Sequence, residues 1–117
     1  MPPLPSEPAD FLRIPSAKRL YNEVLFAEVA RRYDFVTRAL SLGRDQAWKL
    51  ALLHALPEER TWPAAAMPVC LDLACGTGDV AFALARRYTQ GSVCGLDLTV
   101  EMLAIAQRRN RYANVRL

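Results

Sequence analysis

The chain reads as an α/β protein: an open parallel sheet entered through an N-terminal helical segment. Three observations carry that reading. Val69-Cys70-Leu71-Asp72-Leu73-Ala74 is an apolar run that fits a buried strand, and it breaks into Gly76 and Gly78 before the helix-like run Val80–Arg87. Strand, turn and helix then alternate to Leu117. Before residue 57, apolar residues recur at spacings of three and four.

In chain order, residues 1–15 hold five of the eight prolines, each without an N–H and with φ fixed, so an extended, disordered tail is expected there. Ser16 can cap a helix in which Leu20, Val24, Leu25 and Val29 form a stripe. Tyr33-Asp34 interrupts it, a short helix covers Phe35–Leu40, and Gly43 suits a left-handed end. Asp45 can cap a third helix, Gln46–Leu56, with Trp48, Leu52, Leu53 and Leu56 as its apolar stripe and Trp48 in the core. His54, the only histidine, sits on that helix away from the glycines and reads as structural or solvated. Residues 57–68, with three prolines, read as a linker between the helical segment (16–56) and the α/β part (69–117).

Strand one is expected over Val69–Ala74, a helix over Asp79–Tyr88, strand two over Ser92–Asp97 and a helix over Val100–Arg109 capped by Thr99. Asn114–Leu117 reads as the start of strand three. Parallel sheets are normally buried on both faces, which two strands and a stub cannot achieve. The expectation is therefore a partial sheet belonging to a longer protein.

Composition narrows the classes. A net charge of +3 on 117 residues is mildly basic, and the arginine pairs at helix ends complement the helix dipole without a nucleic-acid motif. Cys70, Cys75 and Cys94 lack C-x-x-C spacing and read as structural thiols in a reducing compartment, not as a zinc site. No apolar run approaches the roughly 20 residues of a membrane span, and the first residues lack a signal-peptide pattern.

Two ligands suit the glycine turn. Gly76-Thr77-Gly78-Asp79-Val80-Ala81 satisfies G-x-G-x-x-A, and Asp97 stands near the place of a ribose-binding acid, as in a NAD or FAD site of an oxidoreductase. The other is S-adenosyl-L-methionine. Asp72, a carboxyl inside a strand, needs a partner, which a ligand ammonium would supply directly or through water; binding the turn's own N–H groups is the structural alternative. Asp79 would repel a pyrophosphate at the helix N-terminus but is tolerable beside a ligand without one. A third, non-enzymatic reading is a truncated form that acts by pairing its open sheet edge with a partner.

Leu71-Asp72-Leu73-Ala74-Cys75-Gly76-Thr77-Gly78-Asp79 resembles motif I of the class I S-adenosylmethionine-dependent methyltransferases. More narrowly, Val29–Lys49, with Tyr33-Asp34, Leu40-Ser41-Leu42-Gly43 and Trp48-Lys49, is similar to the N-terminal signature of the ubiquinone/menaquinone biosynthesis C-methyltransferases. Gly95–Leu103 is similar to their second cofactor motif. Val36 and Thr37 depart from it, standing where the family usually has Met and Asn.

The resemblance implies a Rossmann-like class I methyltransferase sheet, truncated after about the start of the third strand, with an N-terminal helical segment. It implies methyl transfer from S-adenosyl-L-methionine to a ring carbon of a small, lipophilic polyprenyl quinol precursor, and a partial chain inactive alone. The cofactor positions it implies, together with those read from the residues, are Asp72, Ala74, Gly76, Thr77, Gly78, Asp97, Leu98, Met102 and Tyr33. No catalytic base is visible. A cytoplasmic enzyme is expected, with peripheral membrane contact implied by the lipophilic substrate and no nucleic-acid partner.

Overall fold

The computed structural model describes residues 15–63 and 65–117. The proline-rich tail lies outside the described residues except for Pro15, which opens the first helix. Helix α1 spans Pro15–Val29, a 3₁₀ turn spans Ala30–Arg32, α2 spans Tyr33–Leu40 and α3 spans Arg44–Ala55. The α/β part follows as β1 (Val69–Leu73), α4 (Asp79–Arg87), β2 (Ser92–Leu96), α5 (Val100–Arg109) and β3 (Val115–Arg116). The strands are parallel in the order β1-β2-β3, with Asp72 opposite Gly95 and Val93 opposite Val115.

The sheet grows in one direction, and crossovers of one hand then place both connecting helices on one face. Side chains alternate along a strand, so Cys70 and Asp72 share that face with Val93, Gly95 and Val115. Val93 and Val115 pack there against Ala81, Phe82, Leu84 and Ala85 of α4 and Ala106 of α5. The opposite face is open at β1, where Val69, Leu71 and Leu73 are 82%, 58% and 67% exposed. The expectation of a fully buried first strand is corrected accordingly: only one face is covered among the described residues.

The N-terminal helices also bury less than their apolar spacing predicts. Helix α1 has no buried residue, and Leu20, Val24 and Leu25 are all exposed. From α3 and its C-cap, only Leu53 and Leu56 reach the core cluster, while Trp48 stands 53% exposed with the Lys49 Nζ 5.9 Å from its ring centroid. The helix lies against α2 and α4, and Trp48 falls outside the strip that they cover. His54 is exposed.

Two of the three predicted caps are also corrected. Among the described residues α1 begins at Pro15, which places Ser16 inside the helix. Gly43, left-handed at φ 78, takes the N-cap of α3 and puts Asp45 within the first turn. Thr99 holds the N-cap position of α5 without a side-chain capping bond. The linker is pinned rather than free: the Tyr88 hydroxyl donates to the Pro57 carbonyl (2.7 Å), and Glu59 accepts from the Thr89 hydroxyl (2.9 Å) and the Gln90 N–H (2.6 Å).

Polar bonds fasten the helical segment to the sheet layer. Asp45, buried, accepts from the Ser41 hydroxyl (3.0 Å) and stands 3.5 Å from the Lys49 ammonium. Lys49 reaches on to Asp79 Oδ2 (2.9 Å), and Arg109 takes Asp79 Oδ1 (2.7 Å). Burial pushes the Asp79 carboxyl up, but hydrogen bonds and charge from Lys49 and Arg109 outweigh it and hold the group below its ordinary value of 3.8. A depressed carboxyl stabilises the fold fully above its unfolded value and loses that contribution as the pH falls through the folded value. Denaturant titration should show Asp79→Asn less stable by about 1 kcal/mol at pH 7, a figure discounted for solvent screening. The difference from wild type should shrink as the pH drops below 3.8. An equal difference at pH 7 and pH 3 would contradict this account.

Candidate cofactor site

The carboxyl end of β1 turns sharply into α4. Cys75 N–H donates to the Leu96 carbonyl (2.9 Å), and Gly78 N–H closes the turn on the Cys75 carbonyl (3.0 Å). Gly76 and Gly78 are left-handed, at φ 55 and 93. A Cβ on Gly78 would lie 2.7 Å from the Phe82 ring and 3.3 Å from the Ala106 Cβ, so this glycine lets α4 and α5 close on the turn. Ala74 is also left-handed, at φ 59, a conformation that costs a residue with a Cβ.

Beside the turn, Asp97 follows the end of β2. Its Oδ2 accepts from the Gly76 N–H (2.7 Å) and its Oδ1 from the Thr99 N–H (2.8 Å). Two amides from different connections thus aim one carboxylate, and each oxygen keeps a lone pair for a further donor.

A cavity of about 910 Å³ opens over this edge, within the range of small-molecule sites. Its floor comes from Leu73, Ala74, Gly76 and Leu96–Thr99, with Met102 beneath. Lys18, Asn22 and Phe26 of α1, and Tyr33, form the opposite wall. The Phe26 and Tyr33 rings are tilted against each other at 6.2 Å.

Of the nine residues singled out from the sequence, Tyr33, Ala74, Gly76, Asp97, Leu98 and Met102 line this cavity. Met102 is buried and Leu98 exposed at the rim. The other three do not line it. Gly78 serves the packing of α4 and α5. Thr77 is buried, and its hydroxyl donates to Asp34 Oδ1 (2.8 Å) on the other side of the turn. Asp72 lies on the covered face of β1, and its Oδ2 is buried without a hydrogen-bond partner. Burial raises its pKa, the Ala81 backbone N–H opposes that rise, and the charge of Asp97 adds to it.

Sequence reasoning missed Asp34, Lys49 and Arg109. Arg109, read as a dipole complement, donates to Asp34 Oδ2 (3.0 Å), the Thr77 carbonyl (3.2 Å) and Asp79 Oδ1 (2.7 Å). Asp34 and Arg109 are 75 residues apart, and no local pattern signals such a contact. Cys75 is buried where Gly95 leaves room for its sulfur, and burial together with Asp72 and Asp97 pushes its thiol up to about 11. All three cysteines are unpaired, and no cluster of metal-ligating side chains occurs among the described residues.

Ala74 yields a direct test of the turn. Replacing it with glycine relieves the left-handed strain, and Ala74→Gly should be more stable by about 1 kcal/mol, a rise in Tm of roughly 4 °C by calorimetry. An unchanged or lower Tm would mean that the turn is not held at this φ.

The sequence model of the ubiE/COQ5 methyltransferase family matches residues 15–116. A ubiquinone/menaquinone biosynthesis C-methyltransferase UbiE of Methylobacterium nodulans is 42% identical over 102 residues, covering 85% of this chain and 38% of its own length. A demethylmenaquinone methyltransferase of Chlorobaculum tepidum is 41% identical over 91 residues, covering 78% of this chain and 36% of its own. A 2-phytyl-1,4-naphtoquinone methyltransferase of Thermosynechococcus vestitus is 40% identical over 91 residues, covering 75% and 37%. The chain thus spans somewhat over a third of the length of these relatives. Among solved structures, a chain of the complex between the Haloferax volcanii Trm112 methyltransferase activator and a methyltransferase superposes with a TM-score of 0.54 at 22% identity, covering 77% of this chain and 36% of that one, a likeness of fold. The chain belongs to the ubiE/COQ5 methyltransferase family.

Proposed function

We propose that this chain forms the cofactor-binding part of an S-adenosyl-L-methionine-dependent methyltransferase that methylates a ring carbon of a polyprenyl quinol precursor. The observation that carries the cofactor assignment is where the cavity runs. It passes over Ala74, Gly76 and Asp97 but does not reach Thr77, Gly78 or Asp79 at the start of α4. A dinucleotide places its pyrophosphate on that helix N-terminus, which here is packed against Phe82 and Ala106 and carries Asp79. A ligand without a pyrophosphate fits the space that remains.

Residue chemistry supports the same reading. Asp97, already aimed by two amides, can accept two vicinal ribose hydroxyls. Asp72 lies behind the cavity on the covered face of β1, with Oδ2 buried and unpartnered, so it favours a cationic ligand through its charge and not by direct contact. Leu98, exposed at the rim, offers apolar surface to a flat base above the buried Met102, and Tyr33 covers Gly76 from the opposite wall. When bound, the cofactor supplies an electrophilic methyl on a sulfonium. The chain's own contribution is positioning and exclusion of water, the means by which a transfer of this kind is accelerated.

The acceptor is proposed from the relatives, whose names give quinone-biosynthesis substrates. A substrate of that kind would bring the enzyme to a membrane surface; none of the described helices is long and apolar enough to cross one. Cofactor binding, rather than turnover, is the activity proposed for these 117 residues by themselves.

Calorimetric titration with S-adenosylhomocysteine tests the assignment, with circular dichroism confirming that each variant folds. The wild type should bind, Asp97→Ala should lose about tenfold or more in affinity, and Asp72→Asn should weaken binding without lowering Tm. Binding of NAD in place of S-adenosylhomocysteine, or of neither by the folded chain, would refute the proposal.

A further inference from the structure

Helix α1 forms a wall of the cavity but buries none of its own residues. Its packing on α5 leaves none of its residues fully buried, so the chain that follows it contributes to holding it in place. Its chain continues through Ala30, which is buried, to Tyr33 on the cavity wall and Asp34 in the first turn of α2. Asp34 is the point of attachment. One of its carboxylate oxygens takes the buried Thr77 hydroxyl and the other takes Arg109. The same guanidinium holds the Thr77 carbonyl and Asp79. The start of α2, the glycine turn and the end of α5 therefore meet at one arginine. Charge-assisted bonds of this type are among the stronger hydrogen bonds, and the planar fork of arginine reaches acceptors that a lysine cannot hold at once.

Neither Asp34 nor Arg109 lines the cofactor cavity; both line a smaller, polar cleft with Lys49 and Asp79. Their neighbours do line it. Tyr33 adjoins Asp34, and its Cε1 lies 4.0 Å from where a Cβ on Gly76 would stand. Fixing Asp34 on Thr77 fixes the Tyr33 ring over Gly76, and with it the end of α1.

We infer that Asp34 and Arg109 are positioning residues: with Thr77 they clasp the N-terminal helices onto the glycine turn and so hold α1 and Tyr33 closed over the cavity. That the cavity's occupant is the cofactor rests on the function proposed above. Cofactor retention should then depend on residues that do not touch the cofactor.

The test compares the full chain with Asp34→Ala, Asp34→Asn and Arg109→Lys. Hydrogen exchange read by mass spectrometry without ligand should show faster exchange across residues 15–32 in Asp34→Ala, with residues 80–85 of α4 unchanged. Asp34→Asn keeps an acceptor for Thr77 and loses the ion pair, so it should fall between wild type and Asp34→Ala. S-adenosylhomocysteine should dissociate about tenfold faster from Asp34→Ala, with Arg109→Lys intermediate. Should Asp34→Ala fail to fold, Arg109→Lys carries both measurements. Unchanged exchange across residues 15–32, or unchanged dissociation from a variant that does exchange faster, would overturn the clasp. A wild-type chain that binds no S-adenosylhomocysteine would defeat the cofactor assignment instead, and the ligand-free exchange would then decide the clasp alone.

Discussion

Two backbone amides, Gly76 N–H and Thr99 N–H, converge on the carboxylate of Asp97. One belongs to the turn between β1 and α4, the other to the turn between β2 and α5. Because parallel strands must both end at this edge, a single acceptor between them sets the spacing of the two turns and the depth of the cavity floor. The left-handed residues follow from that constraint. With Gly76 N–H committed to Asp97, the chain must reverse within Ala74–Gly78 to start α4, and three of those five residues have positive φ. The turn thereby brings Ala74 and Gly76 to the cavity.

Around that floor the molecule separates two kinds of polar group. Asp72 and Asp97 are acidic side chains close to one another and without cationic partners among the ion pairs of the described residues. Asp34, Asp45 and Asp79, on the other side of the turn, are each paired with Lys49 or Arg109. Asp72, with its Oδ2 buried and unpartnered and Asp97 nearby, is costly to bury, and a cationic ligand would offset that cost. The paired carboxylates hold helices in place. This division separates the residues suited to binding from those that support them, and it explains why Thr77, in the middle of the glycine motif, belongs with the support.

Much of this was legible in the sequence because it is local. The strand, turn and helix at Val69–Arg87, the helix Val100–Arg109 and the left-handed Gly43 follow from periodicity and from glycine's freedom. Asp97 was recoverable from its distance along the chain. What escaped was non-local or depended on partners. Ala74 has a Cβ and signals no positive φ. Leu20, Val24 and Trp48 sit at helical spacing, yet spacing cannot say whether anything lies opposite them. The same holds for Leu71 and Leu73, apolar on a face that same-side crossovers leave open. Asp34 and Arg109 meet across 75 residues, a contact that only the tertiary fold creates.

The most direct measurement is an NMR titration of the isotopically labelled chain with S-adenosylhomocysteine, and in parallel with NAD. The account predicts that S-adenosylhomocysteine perturbs the backbone amides of Gly76, Leu98, Thr99 and Met102 most strongly, with smaller shifts at Tyr33. Amides in the first turn of α4, from Asp79 to Ala81, should respond weakly, since the cavity does not reach them. Perturbation by NAD centred on that first turn, with none from S-adenosylhomocysteine, would show that the turn is a dinucleotide site and would contradict the account.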